Sequence, residues 1–480
     1  MNSFAADVEA LAKRVRGPVL TPRDEGYDTE RAGYQLARWH RPDLVVGATG
    51  AADVRAAVAF AGDHGLPVAV QGTGHALAGT AGEGGVLINT SRMTGVRVNG
   101  RARTAWVAAG TRWDEVIHEA AAAGLAPLSG SFPGLAVVPY TLAGGLGLLS
   151  RRYGYAADHV RALDVVTADG LLRHVTEVSE PDLFWALRGG RDNFGVVTAI
   201  ELDLVPVTTL YGGSLQFAGE LAAEVFDTYL SWTATVPDEM SSSIMQMSYP
   251  DLPAFPEALR GRQAVHVRIA YAADVLDDAE SLVAPLRALG PTGDTLGVLP
   301  YTEAGSIHAD PPFPGHVEAG TALLGDLDTA AVRAILDQAP PHAPLPHVFE
   351  LRHLGGRLAH PPAVGNAVGN RDARFLLNVI SRLERAEITE VRPAHKRMFE
   401  AVAPWSTGGR LLNFMNGEDA AQQVRSAYDP EDYRRLTEIK AVYDPGNTFR
   451  LNHNIPPADD REHDRRAGMA PATVPVTPAT

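Results

Sequence analysis

The sequence predicts an α+β protein of two domains, and three observations carry that prediction. At 480 residues the chain is longer than one ordinary hydrophobic core supports. Between residues 40 and 205, short β-rich runs alternate with helical stretches. At Val205-Pro-Val and Tyr211-Gly-Gly that pattern gives way to longer strands and helices.

The elements follow in order. Residues 1–17 read as a helix, because Phe4, Val8, Leu11 and Val15 recur at helical spacing. Residues 43–47 are strand-like, and 52–61 form an amphipathic helix with an acidic start. Residues 68–71, 86–89 and 105–109 read as strands and 113–123 as a helix. A strand over 160–167 runs into the hairpin signal Ala168-Asp-Gly170, and 195–205 is a further strand. In the second region, residues 265–271 alternate, which predicts one buried face. A helix over 277–289 ends at Gly290-Pro291, and 340–346 is a proline-rich loop. Residues 347–353 read as a strand and 386–402 as a helix. A last helix over 429–443 leads into the turn Asp444-Pro-Gly-Asn447. Residues 457–480, rich in Pro, Ala, Thr and charge, read as disordered.

Composition narrows the function. A net charge of −15 argues against nucleic acid and anionic membranes as partners. With no cysteine, disulfides, thiolate metal sites and cysteine nucleophiles are excluded. No apolar run reaches the roughly 18 residues of a membrane span. The start, Met1-Asn-Ser-Phe-Ala-Ala-Asp-Val-Glu, lacks the basic and apolar parts of a signal peptide, so a cytoplasmic location is expected.

The segment Val68-Ala-Val-Gln-Gly-Thr-Gly-His75-Ala-Leu-Ala-Gly79 places a histidine among glycines directly after a strand. Glycines allow close backbone approach, and successive N–H groups in such a turn form a nest for a pyrophosphate. Two more glycine clusters follow, Ala143-Gly-Gly-Leu-Gly147 and Arg188-Gly-Gly-Arg-Asp-Asn-Phe-Gly195. Three such loops in one half of the chain point to a long, doubly charged cofactor held by backbone.

Together with Ser150-Arg-Arg-Tyr-Gly154, Asp158-His-Val160 and Tyr443-Asp-Pro-Gly-Asn-Thr-Phe-Arg-Leu-Asn-His-Asn-Ile455, these motifs resemble the berberine-bridge-enzyme-like flavoproteins, within the vanillyl-alcohol-oxidase type of FAD oxidoreductase. The resemblance runs over residues 18–456. It implies an FAD-binding part over 1–208, an inserted substrate domain (antiparallel sheet covered by helices) over 209–409, and a C-terminal segment, 410–456, that completes the FAD domain. His75 matches the histidine bonded to the flavin 8α-methyl. Gln71, Gly72, Thr73, Gly74, Gly79, Leu135, Ala136, Tyr140, Gly144, Gly145, Gly147, Gly195, Val197, Asn452 and Asn454 match positions that contact FAD. Many relatives carry a second link through a cysteine where this chain has Phe132, so a singly linked FAD is implied. Pro139, Ala143 and Asp192 stand where relatives usually carry glycine. Leu135 matches a position that gates dioxygen.

The family chemistry is proton removal from substrate with hydride transfer to flavin N5. The usual tyrosine base of a late Asn-Tyr strand is replaced here by Asn413-Phe414. Replacement bases must come from elsewhere. Alternation puts Glu350 and Arg352 on one strand face and Leu351 and His353 on the other, while His266 and Arg268 share a face of theirs. Glu350, His353 and Tyr140 are the candidates, with Tyr428 a further one. No Gly-x-Ser-x-Gly elbow is present, and His342, His347 and His360 match no metal motif, so no metal is expected. The expected activity is FAD-dependent oxidation of an alcohol, sugar or specialised metabolite by a monomer or homodimer, with oxygen or another acceptor reoxidising the flavin. The alternative is a non-redox cyclisation or elimination that uses flavin as scaffold.

Overall fold

The computed structural model describes residues 2–75, 83–253, 255–340, 348–416 and 420–459. Gly79, the expected proline-rich loop from 341 onward and the expected tail from 460 onward lie outside the described residues. The fold is α+β, with three sheets. The first runs Val19–Leu20, Leu44–Gly47, Val86–Asn89, Val68–Gln71, and its last three strands are parallel. The second is antiparallel and runs Val96–Asn99, Thr104–Ala108, Val196–Asp203, Val160–Val166, Leu172–Thr176. Helices Ala51–Asp63 and Trp113–Ala121 pack with these sheets in one core that contains Val46, Val58, Trp113, Val165 and Phe194.

The third sheet is antiparallel and has eight strands. Its central order is Thr209–Ala218, Gln263–Tyr271, Met240–Ser248, Val348–His353, Phe375–Arg382, Val317–Leu324. Period-two alternation divides its faces. Ile244, Val267, Phe349 and Leu351 point into a second core with Phe226 and Val283 from the covering helices Ala222–Thr233 and Ala279–Arg287. Ser243 pairs in register with both Arg268 and Arg352, so these polar side chains share the opposite face, joined by Glu350 two residues along. A polar sheet face is thereby turned away from the helical cover.

The chain end returns to the first core: Leu436, Phe449 and Ile455 are buried there. Lys440, one of three lysines, is wholly buried and ties this return. Its ammonium donates to Asp444 Oδ2 at 2.6 Å, to the Asn193 carbonyl at 2.6 Å and to the Phe449 carbonyl at 3.0 Å.

Several expected elements shift. The helix over 1–17 is Asn2–Arg14, that over 277–289 is Ala279–Arg287, and that over 386–402 is Ile388–Ala401. Helix Val137–Leu142 is an addition to the expected elements; its Pro139 sits in the first turn, where a missing N–H costs nothing. Leu412–Phe414 is a single 3₁₀ turn rather than part of a late strand.

Candidate active site

Strand Val68–Gln71 ends at the wall of a groove of about 1090 Å³. The turn Gln71–His75, Leu135 and Ala136, the Pro139–Tyr140 step of the short helix, Arg191–Asp192, Leu451–Asn452 and Asn413–Phe414 enclose it. His75 is held from both sides. Its Nδ1 lies 2.9 Å from Thr73 Oγ1, and its ring stacks on Tyr34 with centroids 3.9 Å apart and 12° between planes. Phe132 leans on the same ring at 5.4 Å. The remaining nitrogen, Nε2, is buried with no hydrogen bond among the described residues. Burial, helped by the positive charge of Arg112, lowers the imidazole to about 3, so it is neutral with a lone pair to offer at ordinary pH.

No acceptor among the described residues takes the backbone N–H groups of Gly72, Thr73, Gly74 or His75. Four successive free amides are the cradle expected of a phosphate-binding turn. The Tyr140 hydroxyl is a second buried polar atom without a partner on the same groove, and burial raises its pKa well above 10. A nest of amides and two orphaned polar atoms around a long cleft fit a dinucleotide cofactor.

The expected glycines answer to more than that groove. Gly74 has φ +66°, and a Cβ there would stand 2.6 Å from Gly33 Cα; the two segments are clamped by Tyr34 N–H to the Thr73 carbonyl and Gln35 N–H to the Gly74 carbonyl, both at 2.9 Å. Its glycine thus answers to chain packing. Gly144, Gly145, Gly147 and Gly195 do not line the groove. The Gly145 N–H donates to Asn413 Oδ1 at 2.7 Å, and Asn413 Nδ2 donates to the Tyr140 carbonyl at 2.8 Å, so the loop is pinned to the C-terminal segment. A Cβ on Gly147 would lie 1.9 Å from the Ser129 carbonyl oxygen, and one on Gly195 2.5 Å from that of Val166. Val197 borders a smaller void behind Gly72, and Asn454 keeps a buried Oδ1 outside the groove.

Arg352, Ser131 and Leu146 are shared with a second, smaller cavity against the polar sheet face. Here Glu350 is enclosed. Its carboxylate accepts from Arg352 Nε at 2.8 Å, Arg268 Nη1 at 3.2 Å and Ser243 Oγ at 2.8 Å. Burial alone would raise this carboxyl, yet Arg352, His308 and Arg268 hold it far below the usual range. That corrects the expectation of Glu350 as a base: it is the counter-ion of two guanidiniums. His353 Nε2 lies 3.1 Å from Arg151 Nη1, and burial with that charge lowers its imidazole to about 2, so it too is a weak proton acceptor. Tyr428 is removed from the site altogether, its hydroxyl donating to the Gly189 carbonyl at 3.0 Å, and His266 faces Tyr249 at 2.9 Å.

His308 was missed. It lines the second cavity, with Nδ1 3.8 Å from Glu350 Oε1, and burial lowers it to about 3. It leaves a 3₁₀ turn, Tyr301–Ile307, into Ala309-Asp-Pro-Pro, where no periodicity marks it. Ser131 and the run Ser241–Ser243 were not singled out either.

Two family models match the chain: an FAD binding domain over residues 42–176, and the berberine and berberine-like model over 412–456. They fall on the two segments that meet at Asn413 and Gly145. The matching models and the relatives are those of berberine-bridge-enzyme-like FAD-linked oxidoreductases. Among curated relatives of this family, (R)-6-hydroxynicotine oxidase of Paenarthrobacter nicotinovorans is 28% identical over 464 residues, covering 92% of this chain and 97% of its own. The crystal structure of 6-hydroxy-D-nicotine oxidase from Arthrobacter nicotinovorans superposes with a TM-score of 0.79 at 26% identity, over 92% of this chain and 98% of the other. A xylooligosaccharide oxidase from Myceliophthora thermophila C1, at 19% identity and a TM-score of 0.80 over 94% and 99% of the two chains, shares the fold. The protein is an FAD-dependent oxidoreductase of small organic substrates, with the vanillyl-alcohol-oxidase type of fold. Phe132 packs against His75, and Phe414 lies beneath Arg352, whose guanidinium carbon lies 5.1 Å from the ring centre.

Proposed function

We propose that one FAD is bonded to His75 and that a small organic molecule is oxidised in the adjoining cavity by hydride transfer to flavin N5. The observation that carries this is the buried Nε2 of His75, with no hydrogen bond among the described residues, on a neutral imidazole in a groove that Gly72, Thr73 and Gly74 also line. Gly72–His75 would hold the pyrophosphate, and Tyr140 would donate its hydroxyl proton as a hydrogen bond, since its raised pKa keeps it protonated. The bound cofactor supplies the hydride acceptor. Residues 1–208 with 410–456 hold the cofactor and 209–409 the substrate on this reading, which also takes the chain as a cytoplasmic monomer or homodimer. No helix among the described residues is long and apolar enough to cross a membrane.

Glu350 fixes Arg268 and Arg352 toward the cavity, and His308 is the neutral imidazole closest to them. Relatives are named as oxidases of a hydroxynicotine and of xylooligosaccharides. Acid precipitation tests the covalent claim: yellow colour should stay in the pellet, and flavin that washes into the supernatant would overturn it. An anaerobic screen of alcohols, sugars and amines tests the redox claim, because a true substrate bleaches the flavin. Turnover with the flavin left yellow would favour the non-redox alternative.

A further inference from the structure

The second cavity is cationic although the chain is acidic. Among the described residues its charged lining consists of Arg151, Arg268 and Arg352, with no carboxylate. The nearby acids are each accounted for. Glu350 lies behind the two sheet arginines, Asp238 pairs with Arg151 from an exposed position, and Asp310 accepts from Ser131 Oγ at 2.8 Å. The three guanidiniums are not equivalent. Arg151 is bonded to the Met240 and Leu354 carbonyls and to Asp238. Arg268 is bonded to Glu350 and to the His308 carbonyl at 3.1 Å. Arg352 is held only through Nε, on Glu350, and by its contact with the Phe414 ring. Its Nη1 and Nη2 make no hydrogen bond among the described residues, and the residue borders both cavities.

A guanidinium fixed at Nε with two free Nη donors is the fork that takes a carboxylate in bidentate fashion. Glu350, Asp238 and Asp310 offset the arginine charge, but among the described residues none of them bonds the Arg352 Nη donors, so that fork is left for a ligand carboxylate. We propose that the substrate is an organic acid whose carboxylate is held by Arg352, with Arg268 and Arg151 supplying the surrounding potential. The inference rests on the proposed site of oxidation and narrows its substrate to a small carboxylate.

The test uses the purified protein with acid and amide pairs of one shape: acetate and acetamide, benzoate and benzamide, phenylacetate and phenylacetamide. Thermal denaturation reads binding without reference to the flavin, since a ligand of the native state raises the melting temperature. Flavin absorbance titration then reads whether the ligand sits beside the cofactor. At least one acid should bind about tenfold or more tightly than its amide. Arg352→Gln should abolish that preference, and Arg352→Lys should retain part of it. No acid outbinding its amide in the wild type overturns the proposal, and so does a folded Arg352→Gln protein that keeps the preference. Flavin content, measured separately on denatured protein, keeps the two claims apart. A chain without flavin sinks the proposed function, whereas a flavoprotein indifferent to the carboxylate sinks this inference alone.

Discussion

The FAD groove and the neighbouring cavity are built by different means. The groove is built around a strand end, a turn whose amides from Gly72 to His75 have no acceptor among the described residues, a short helix start and one histidine fixed by Thr73, Tyr34 and Phe132. The cavity is made of side chains that three strands and a loop bring together, and its polar order depends on one buried carboxylate between two arginines. A backbone site depends on conformations that local sequence dictates. A charged side-chain site depends on mutual neutralisation, so losing one member exposes the rest.

Ways to break this comparison can be ranked by size. His75→Ala should have the largest effect, releasing the flavin on acid treatment while the fold persists; retained flavin would place the bond elsewhere. Glu350→Ala comes next. It leaves two largely buried guanidiniums without their counter-ion, and removing one partner of such a cluster costs about 3–5 kcal/mol. Denaturant titration should show that loss, with a smaller one for Glu350→Gln. The pH dependence has a definite sign. The folded carboxyl lies below its unfolded value of 4.5, so its stabilisation is complete above that pH and is lost as pH falls through the folded value. The difference between wild type and Glu350→Ala should therefore narrow below pH 4.5, and a constant difference would contradict the ion-pair account.

Gly74→Ala probes the backbone region. Its φ of +66° and the approach to Gly33 predict a loss of at least about 1–2 kcal/mol, read by the same titration. An unchanged midpoint would show that the two segments are not pressed together. Leu135→Val removes about one methylene from the groove wall, roughly 0.8 kcal/mol of apolar contact. If Leu135 restricts oxygen, stopped-flow reoxidation of the reduced flavin should accelerate about tenfold, a barrier change of about 1.4 kcal/mol. A wild-type flavin already fast with oxygen would remove the gate. Phe414→Tyr should be the mildest change, adding one hydroxyl next to Arg352. It should shift the pH profile of turnover by a few-fold at most, and an unchanged profile would place Phe414 outside the chemistry.

How much was legible follows the same division. Strands Val68–Gln71 and Val86–Asn89 and the turn at His75 are visible because their signals are contiguous. The glycines at 144, 145, 147 and 195 stand out in the sequence and each is close to other atoms of the chain; steric demand for a missing Cβ looks the same in sequence whether the neighbour is a phosphate or the chain itself. Glu350 and Arg352 on one face followed from alternation, but the pairing with Arg268 depends on strand register, which single-strand patterns do not encode. His308 comes from an aperiodic loop and was invisible for that reason.

The central claim is a single FAD bonded to His75, and the intact mass of the denatured wild-type protein tests it most directly. The spectrum should show the chain plus one FAD, and the His75→Ala protein the bare chain. A wild-type mass equal to that of the polypeptide alone, from protein that was yellow before denaturation, would contradict it.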